Sequence, residues 1–241
     1  MSPARRIGLI GDVHAEDDRL RLAINHLQEY ELCEILCTGD VVDGPGCPDA
    51  CIEMLEKAGV KTVRGNHDRW LLEEKARHIE NAHTRASISS RSIDYLENLP
   101  TKIELQTIKG TLLLCHGIGE NDLKKVWPGT QRMKVERSAE LDKIIATGDY
   151  RMVINGHMHF NTIVNFTSLT LLNAGTITGG YWPNFSVIDF ETWEIENFVF
   201  DDDSISKSAT THLDANSDSE VWIDTQCFTG EWQPVMLTNR V

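Results

Sequence analysis

Five short apolar runs in this chain each close on a polar cluster. Arg5–Ile10 leads into Gly11-Asp12-Val13-His14, and Glu34–Cys37 into Thr38-Gly39-Asp40-Val41-Val42-Asp43-Gly44. Val60–Val63 leads into Gly65-Asn66-His67-Asp68, Thr111–Cys115 into His116-Gly117, and Met152–Ile154 into Asn155-Gly156-His157-Met158-His159. Helical spacing separates the first three runs: Leu20, Ala23, Ile24 and Leu27, then Ile52, Leu55 and Ala58, with Gly59 as a stop. An order β-α-β-α-β favours a parallel sheet with right-handed crossovers. Functional groups in such sheets gather outside the carboxyl ends of the strands, so the five clusters can meet at one edge.

The rest of the chain supports a body over residues 1–200. Residues 69–100 are polar, mostly helical in pattern and closed by Pro100, and read as a helical cap inserted beside the strand ends. Lys102–Leu105 and Thr111–Cys115 form a hairpin around Lys109-Gly110. A loop with Lys124, Lys125 and Trp127 follows, then a helix over Glu136–Ala146, then antiparallel strands from Thr162 to Phe200. Residues 201–220 hold six acids against one base and little apolar content, which predicts a solvated acidic linker. Residues 221–241 regain Trp222, Ile223, Phe228, Trp232 and Val235 and are expected to pack back onto the body.

Charge narrows the partners. A formal net charge of -14 argues against a non-specific nucleic-acid binder and against docking on anionic membranes. No apolar run is long enough to span a bilayer, and Met1–Arg6 carries no secretory h-region. The pairs Cys33/Cys37 and Cys47/Cys51 have three-residue gaps rather than zinc-knuckle spacing, so the cysteines read as free thiols and the compartment as cytoplasmic. An acidic protein can still handle phosphate if metal ions supply positive charge.

The clusters have the composition of a metal centre. Asp12, Asp40, Asn66, His14, His116, His157 and His159 offer two carboxylates, an amide oxygen and four imidazoles, with no thiolate. This mixed set suits Mn, Fe, Zn, Ni or Co. Seven donors exceed one tetrahedral ion; with Asp40 bridging, they give four to each of two ions. Two ions about 3.5–4 Å apart clamp both the attacking and the leaving oxygen of a phosphoryl displacement. Glycines precede Asp12, Asp40, Asn66 and His157, where the backbone must turn sharply. The two-residue spacing of Asp12/His14 and His157/His159 would place each pair on one side of an extended segment.

These motifs, in this order, resemble the calcineurin-like metallophosphoesterase superfamily from about Ile7 to Phe200. The resemblance implies a four-layer α/β/β/α sandwich, in agreement with the α/β alternation. It gives one ion to Asp12, His14, Asp40 and His159 and the other to Asp40, Asn66, His116 and His157. Manganese is the first expectation for both. It makes His67 the group that protonates the leaving oxygen, after in-line attack by a hydroxide bridging the ions. Asp68 is expected to orient the His67 imidazole, and Asp43 to brace its loop. Trp70 is expected to pack the cap onto the sheet and His83 to lie on a solvated helix face; for Lys124, Lys125 and Trp127, which follow the His116 loop, substrate contact is the lesser alternative.

Three positions depart from the protein Ser/Thr phosphatases of the superfamily: Ala15 for Gly, Gly44 for Arg, and Asp68 for Glu. A bacterial-type phosphatase or phosphodiesterase acting on a small phosphoester is therefore expected. The alternatives are a dinucleoside polyphosphate hydrolase, a protein phosphatase, a nuclease, and a non-enzymatic scaffold on the same fold.

Overall fold

The computed structural model describes residues 2–201, 204–217 and 219–238. Two mixed sheets lie face to face. In the first, β1 (Arg6–Ile10), β2 (Glu34–Cys37) and β3 (Lys61–Thr62) run parallel, joined by helices α1 (Asp17–Leu27) and α2 (Pro48–Lys57). After β3 the chain passes through α3 (Asn66–Leu72) and α4 (Ser90–Asn98) into β4 (Lys102–Thr107) and β5 (Gly110–Cys115). Then come α5 (Ala139–Thr147), β6 (Met152–Asn155), β7 (Asn161–Phe166) and β8 (Thr170–Ala174). β4 to β8 build the second sheet in the order β7-β8-β6-β5-β4, with β5, β6 and β8 parallel. β9 (Asn184–Asp189), β10 (Glu194–Asp201) and β11 (Ser204–His212) return to the first sheet, where β9 pairs antiparallel with β1.

The period-2 alternation of strands decides the layers. On β1, Ile7 and Leu9 face the second sheet, while Ile10 faces α1 and α2. On β5, Leu112 and Leu114 face the first sheet, while Leu113 and Cys115 meet Leu141 and Ile145 of α5. Both faces of these strands are covered, which is why their sequences read as continuous apolar runs. The result is the expected α/β/β/α order.

Three expectations need correction. The acidic linker carries a nine-residue strand: β11 pairs antiparallel with β10 along its length, and Lys207 Nζ meets Glu196 Oε1 at 2.8 Å. Its Ser, Ile, Ala and Thr side chains suit an edge strand. The acids that set the linker reading sit mostly outside it, and Asp202, Asp203 and Asp218 lie outside the described residues. Next, the cap is mostly irregular: between Leu72 and Ser90 there is one 3-10 turn, Arg85–Ser87, and the rest is loop. Finally, the residues after β3 are helical rather than a strand-end loop, because α3 begins at Asn66 itself.

Residues 221–238 line the β7 edge of the second sheet, with Leu237 in the core between the sheets and Trp222, Phe228 and Trp232 on the outer face. Strands β12 (Val221–Trp222) and β13 (Val235–Met236) both pair with β7. Trp222, Phe228 and Trp232 are buried there with Trp127, which is therefore core and not a substrate contact.

Candidate metal centre

The loops at the carboxyl ends of β1, β2, β5 and β6, together with the start of α3, bring all seven expected donors to one place. Ligand atoms of Asp12, His14 and His159 lie within 4.8 Å of one another, and so do those of Asp40, His116 and His157. Asn66 Oδ1 lies 3.0 Å from His116 Nε2, which adds the amide to the second group.

These loops are not extended. His14, Ala15, Asp40, Asp43, His157 and His159 all have φ between 46° and 64°. Left-handed backbone at non-glycine residues costs energy and persists where surrounding structure holds it, as at functional sites. The two-residue spacing of His157/His159 consequently does not act through an extended segment, yet the two side chains divide as the resemblance implied. His159 joins Asp12 and His14, while His157 joins Asp40 and His116. Two glycines permit the close approach. A Cβ on Gly65 would lie 2.1 Å from Asp40 Oδ1, and one on Gly156 would lie 2.1 Å from Asp12 Oδ1.

Hydrogen bonds around the donors settle which atoms face inward. His14 Nδ1 donates to Asp43 O at 3.0 Å, and His116 Nδ1 to Thr38 O at 2.8 Å. Each leaves Nε2 with its lone pair toward the centre. His14 Nε2 then stands 3.0 Å from His159 Nε2, which stands 3.3 Å from Asp12 Oδ2. His116 Nε2 stands 3.2 Å from Asp40 Oδ2 as well as 3.0 Å from Asn66 Oδ1. Acceptors crowd on acceptors in both groups, an arrangement that a cation satisfies. The outer carboxylate oxygens are used up elsewhere: Thr38 Oγ1 donates to Asp12 Oδ1 at 2.7 Å, and His67 N to Asp40 Oδ1 at 2.8 Å.

Without metal, a proton fills part of this need. Burial disfavours a charged His116, yet Asp40 and Asp12 outweigh it and raise the imidazole to about 10. Burial likewise pushes Asp40 and Asp12 upward, and the facing imidazoles, His116 foremost, hold both below the usual carboxylate range. His157 is held down to about 4, first by burial and then by His116. Lys125, exposed beside it, acts in the same direction.

His67 stands beside His14 at 4.9 Å between ring centroids, and its partner is Asp43 rather than Asp68. Its Nδ1 lies 2.9 Å from Asp43 Oδ2, which leaves the other nitrogen for the centre. Asp43 is nearly inaccessible and receives two bonds of 2.8 Å from the Arg77 guanidinium and one of 2.9 Å from His83 N. Burial would raise the Asp43 carboxyl, but the bonds from His67 and Arg77 lower it. Burial opposes a charged His67, but the Asp43 bond raises it above its ordinary value. Asp68 has another task. Its Oδ1 accepts from Val41 N at 2.8 Å and Val42 N at 3.3 Å, and its Oδ2 accepts from Gly65 N at 2.9 Å. It ties the Asp40 loop to the start of α3, and burial raises its carboxyl to about 6.

His83, expected on a solvated helix face, lies instead in a loop and bonds Asp43, and Arg77 reaches Asp43 from the same loop, whose lack of regular spacing hides it in the sequence. Thr38 had a weak signal, its place just before Gly39-Asp40. A cleft of about 410 Å³ bounded by Glu56, Arg91, Asp94, Tyr95, Asn98 and Leu99 has none of the seven donors in its walls.

Residues 6–192 match the calcineurin-like phosphoesterase superfamily domain. An uncharacterised protein of Methanocaldococcus jannaschii is 28% identical over 179 residues, which cover 71% of this chain and 69% of that protein. A metallophosphoesterase from Sphaerobacter thermophilus has a similar fold, with a TM-score of 0.58 at 19% identity over 78% of this chain and 84% of its own. Vps29 of Entamoeba histolytica, solved in complex with zinc, aligns with a TM-score of 0.54 at 18% identity over 87% and 99%. The chain belongs to the calcineurin-like phosphoesterase superfamily. That membership supports metal-dependent hydrolysis of phosphoesters as its general chemistry.

Proposed function

From that membership, we propose that the chain is a two-metal phosphodiesterase in which His67 is the general acid. The observation that carries the reading is the pair of adjacent acceptor groups with His67 between them and Asp43. Asp12, His14, Asp40 and His159 would hold one divalent ion, and Asp40, Asn66, His116 and His157 the other, with manganese the first to try. Bound there, the ions would supply positive charge for the phosphoryl oxygens and lower the pKa of an attacking water.

The chain's own residues do the rest. Asp43 holds the His67 imidazole in one orientation and favours its charged form. As the bond from phosphorus to the ester oxygen breaks, the inward nitrogen of His67 gives that oxygen its proton. The diester preference rests on charge. The first two guanidinium groups that follow His67 are already committed, Arg69 to Asp122 at 2.6 Å and Arg77 to Asp43. Neither is left to meet the second charge of a monoester.

Metal analysis and a substrate screen test this. Two ions per chain are expected, with Mn-dependent turnover of bis-p-nitrophenyl phosphate exceeding that of the monoester. His67→Ala should lower kcat by about 10²–10⁴ with metal content intact. Well under two ions and no turnover of either ester would favour the scaffold reading.

A further inference from the structure

The imidazoles at the centre form a row, and both ends of the row are aromatic. His14 packs against His67 on one side and His159 on the other, each at 4.9 Å between centroids. Trp70 stands 4.9 Å beyond His67, and Tyr181 stands 4.8 Å beyond His159. Trp70 lies one turn of α3 from His67, on the same side of the helix. It was expected to fasten the cap; its ring is instead laid against the acid.

Tyr181 and its neighbour Trp182 are 51% and 42% exposed. Among the described residues, the large apolar side chains left this exposed are Ile108, Leu123, Val221, Ile223 and these two. The two aromatic ones are adjacent in the chain, and Tyr181 stands against the donor His159. Exposed aromatics clustered at a site are characteristic of ligand binding.

The turn that bears them is held to the centre. Glu16 Oε1, two residues after His14, accepts from Gly179 N at 2.7 Å and Thr178 Oγ1 at 3.1 Å. Arg19 Nη1 steadies that carboxylate at 2.9 Å, and Asn184 Nδ2 donates to Trp182 O at 2.8 Å. One loop thus supplies His14 to the ions and an anchor to the aromatic pair. The side chains of Tyr181 and Trp182 are flat, apolar over most of their surface and without formal charge, which suits a planar base that can stack on them.

We propose that Tyr181 and Trp182 form a nucleobase subsite, so that the substrate is a nucleoside phosphodiester. The base stacks at the Tyr181–Trp182 end while its phosphate lies on the metal donors. Trp70 walls the opposite end, where His67 meets the leaving group. This rests on the phosphodiesterase reading above.

A matched pair of substrates tests it in the manganese-loaded full chain. Thymidine 5′-(p-nitrophenyl phosphate) and methyl p-nitrophenyl phosphate share the leaving group and the single charge, and differ in the nucleoside. The kcat/KM ratio of the first to the second should be about tenfold or more, the size one base–aromatic stack supplies. Tyr181→Ala should lower that ratio about tenfold, and Tyr181→Phe should keep it. A ratio is insensitive to general damage from a substitution. Binding of thymidine 5′-monophosphate, followed by quenching of tryptophan emission, should weaken by a similar factor in Tyr181→Ala. Equal efficiencies for the two esters, or nucleotide binding indifferent to Tyr181, would overturn the subsite. Tyr181-dependent nucleotide binding with neither diester turned over would keep the subsite and remove the phosphodiesterase reading.

Discussion

At the residue scale, the chemistry turns on a buried carboxylate, Asp43, that was expected only to brace its own loop. Asp43 holds His67, and the sign of its effect is definite. The His67 imidazolium is stabilised above its ordinary value, so the acid stays charged at low pH and is lost as pH rises through the elevated pKa. kcat should fall along that alkaline limb. Asp43→Asn keeps the shape but removes the charge, and the limb should move to lower pH, measurable in the kcat–pH profile of the metal-loaded enzyme. Asp68→Asn is expected to behave differently. Its carboxyl ties loops rather than His67, so the profile should hold its position while stability drops by about 1–3 kcal/mol, the cost of disturbing a buried acceptor.

At the scale of elements, the irregular segment between α3 and α4 reaches the acid through Asp43, which the Arg77 guanidinium and the His83 imidazole both bond, the latter accepting from Asp43 N at 3.1 Å. Arg77 grips Asp43 with both arms of its guanidinium, and His83 adds its backbone N–H. Arg77→Ala should loosen Asp43 and hence His67. General-acid help matters most when the departing oxygen is basic. The variant should therefore lose far more rate on an alkyl ester than on a p-nitrophenyl ester, whereas equal losses on both would mark Arg77 as a structural group only. The loops on the other side can be tested at Gly156. A methyl group there meets the Asp12 carboxylate, so Gly156→Ala should bind less than the full two ions by metal analysis.

For the molecule as a whole, metal and stability are linked. In the metal-free chain His116 is raised to about 10 and His157 is held near 4. An imidazole raised on folding stabilises below its unfolded pKa of about 6.5 and loses that contribution as pH climbs toward 10. One that is depressed loses stability as pH falls from about 6.5 toward 4. Metal-free protein should thus melt at its highest temperature near neutral pH. With metal bound, the alkaline decline should shrink, because His116 then needs no proton, and the Tm should rise throughout. The C-terminal segment bears on stability in a different way. Trp222 and Trp232 close the outer face of the second sheet, so Trp222→Ala should cost about 3–5 kcal/mol by denaturant unfolding with metal content unchanged.

The family resemblance implied the layering, and the sequence alone was enough for most of the strands and for the seven candidate donors. Those features follow from short-range rules. A strand covered on both faces is an apolar run, and its end is where a functional loop begins, so Asp12, Asp40, His116 and His157 are legible next to the runs they follow. The donors' chemistry is also local, since side-chain type alone excludes a thiolate centre. What only the tertiary structure decided are the pairings. Asp43 and not Asp68 meets His67, Arg77 enters from a loop without a pattern, and Ser204–His212 becomes an edge strand. Each of these depends on backbone that turns through left-handed residues or on a partner brought from far along the chain. Neither leaves a period in the sequence, because the energy that fixes them comes from burial and hydrogen bonds made after the sheets have closed.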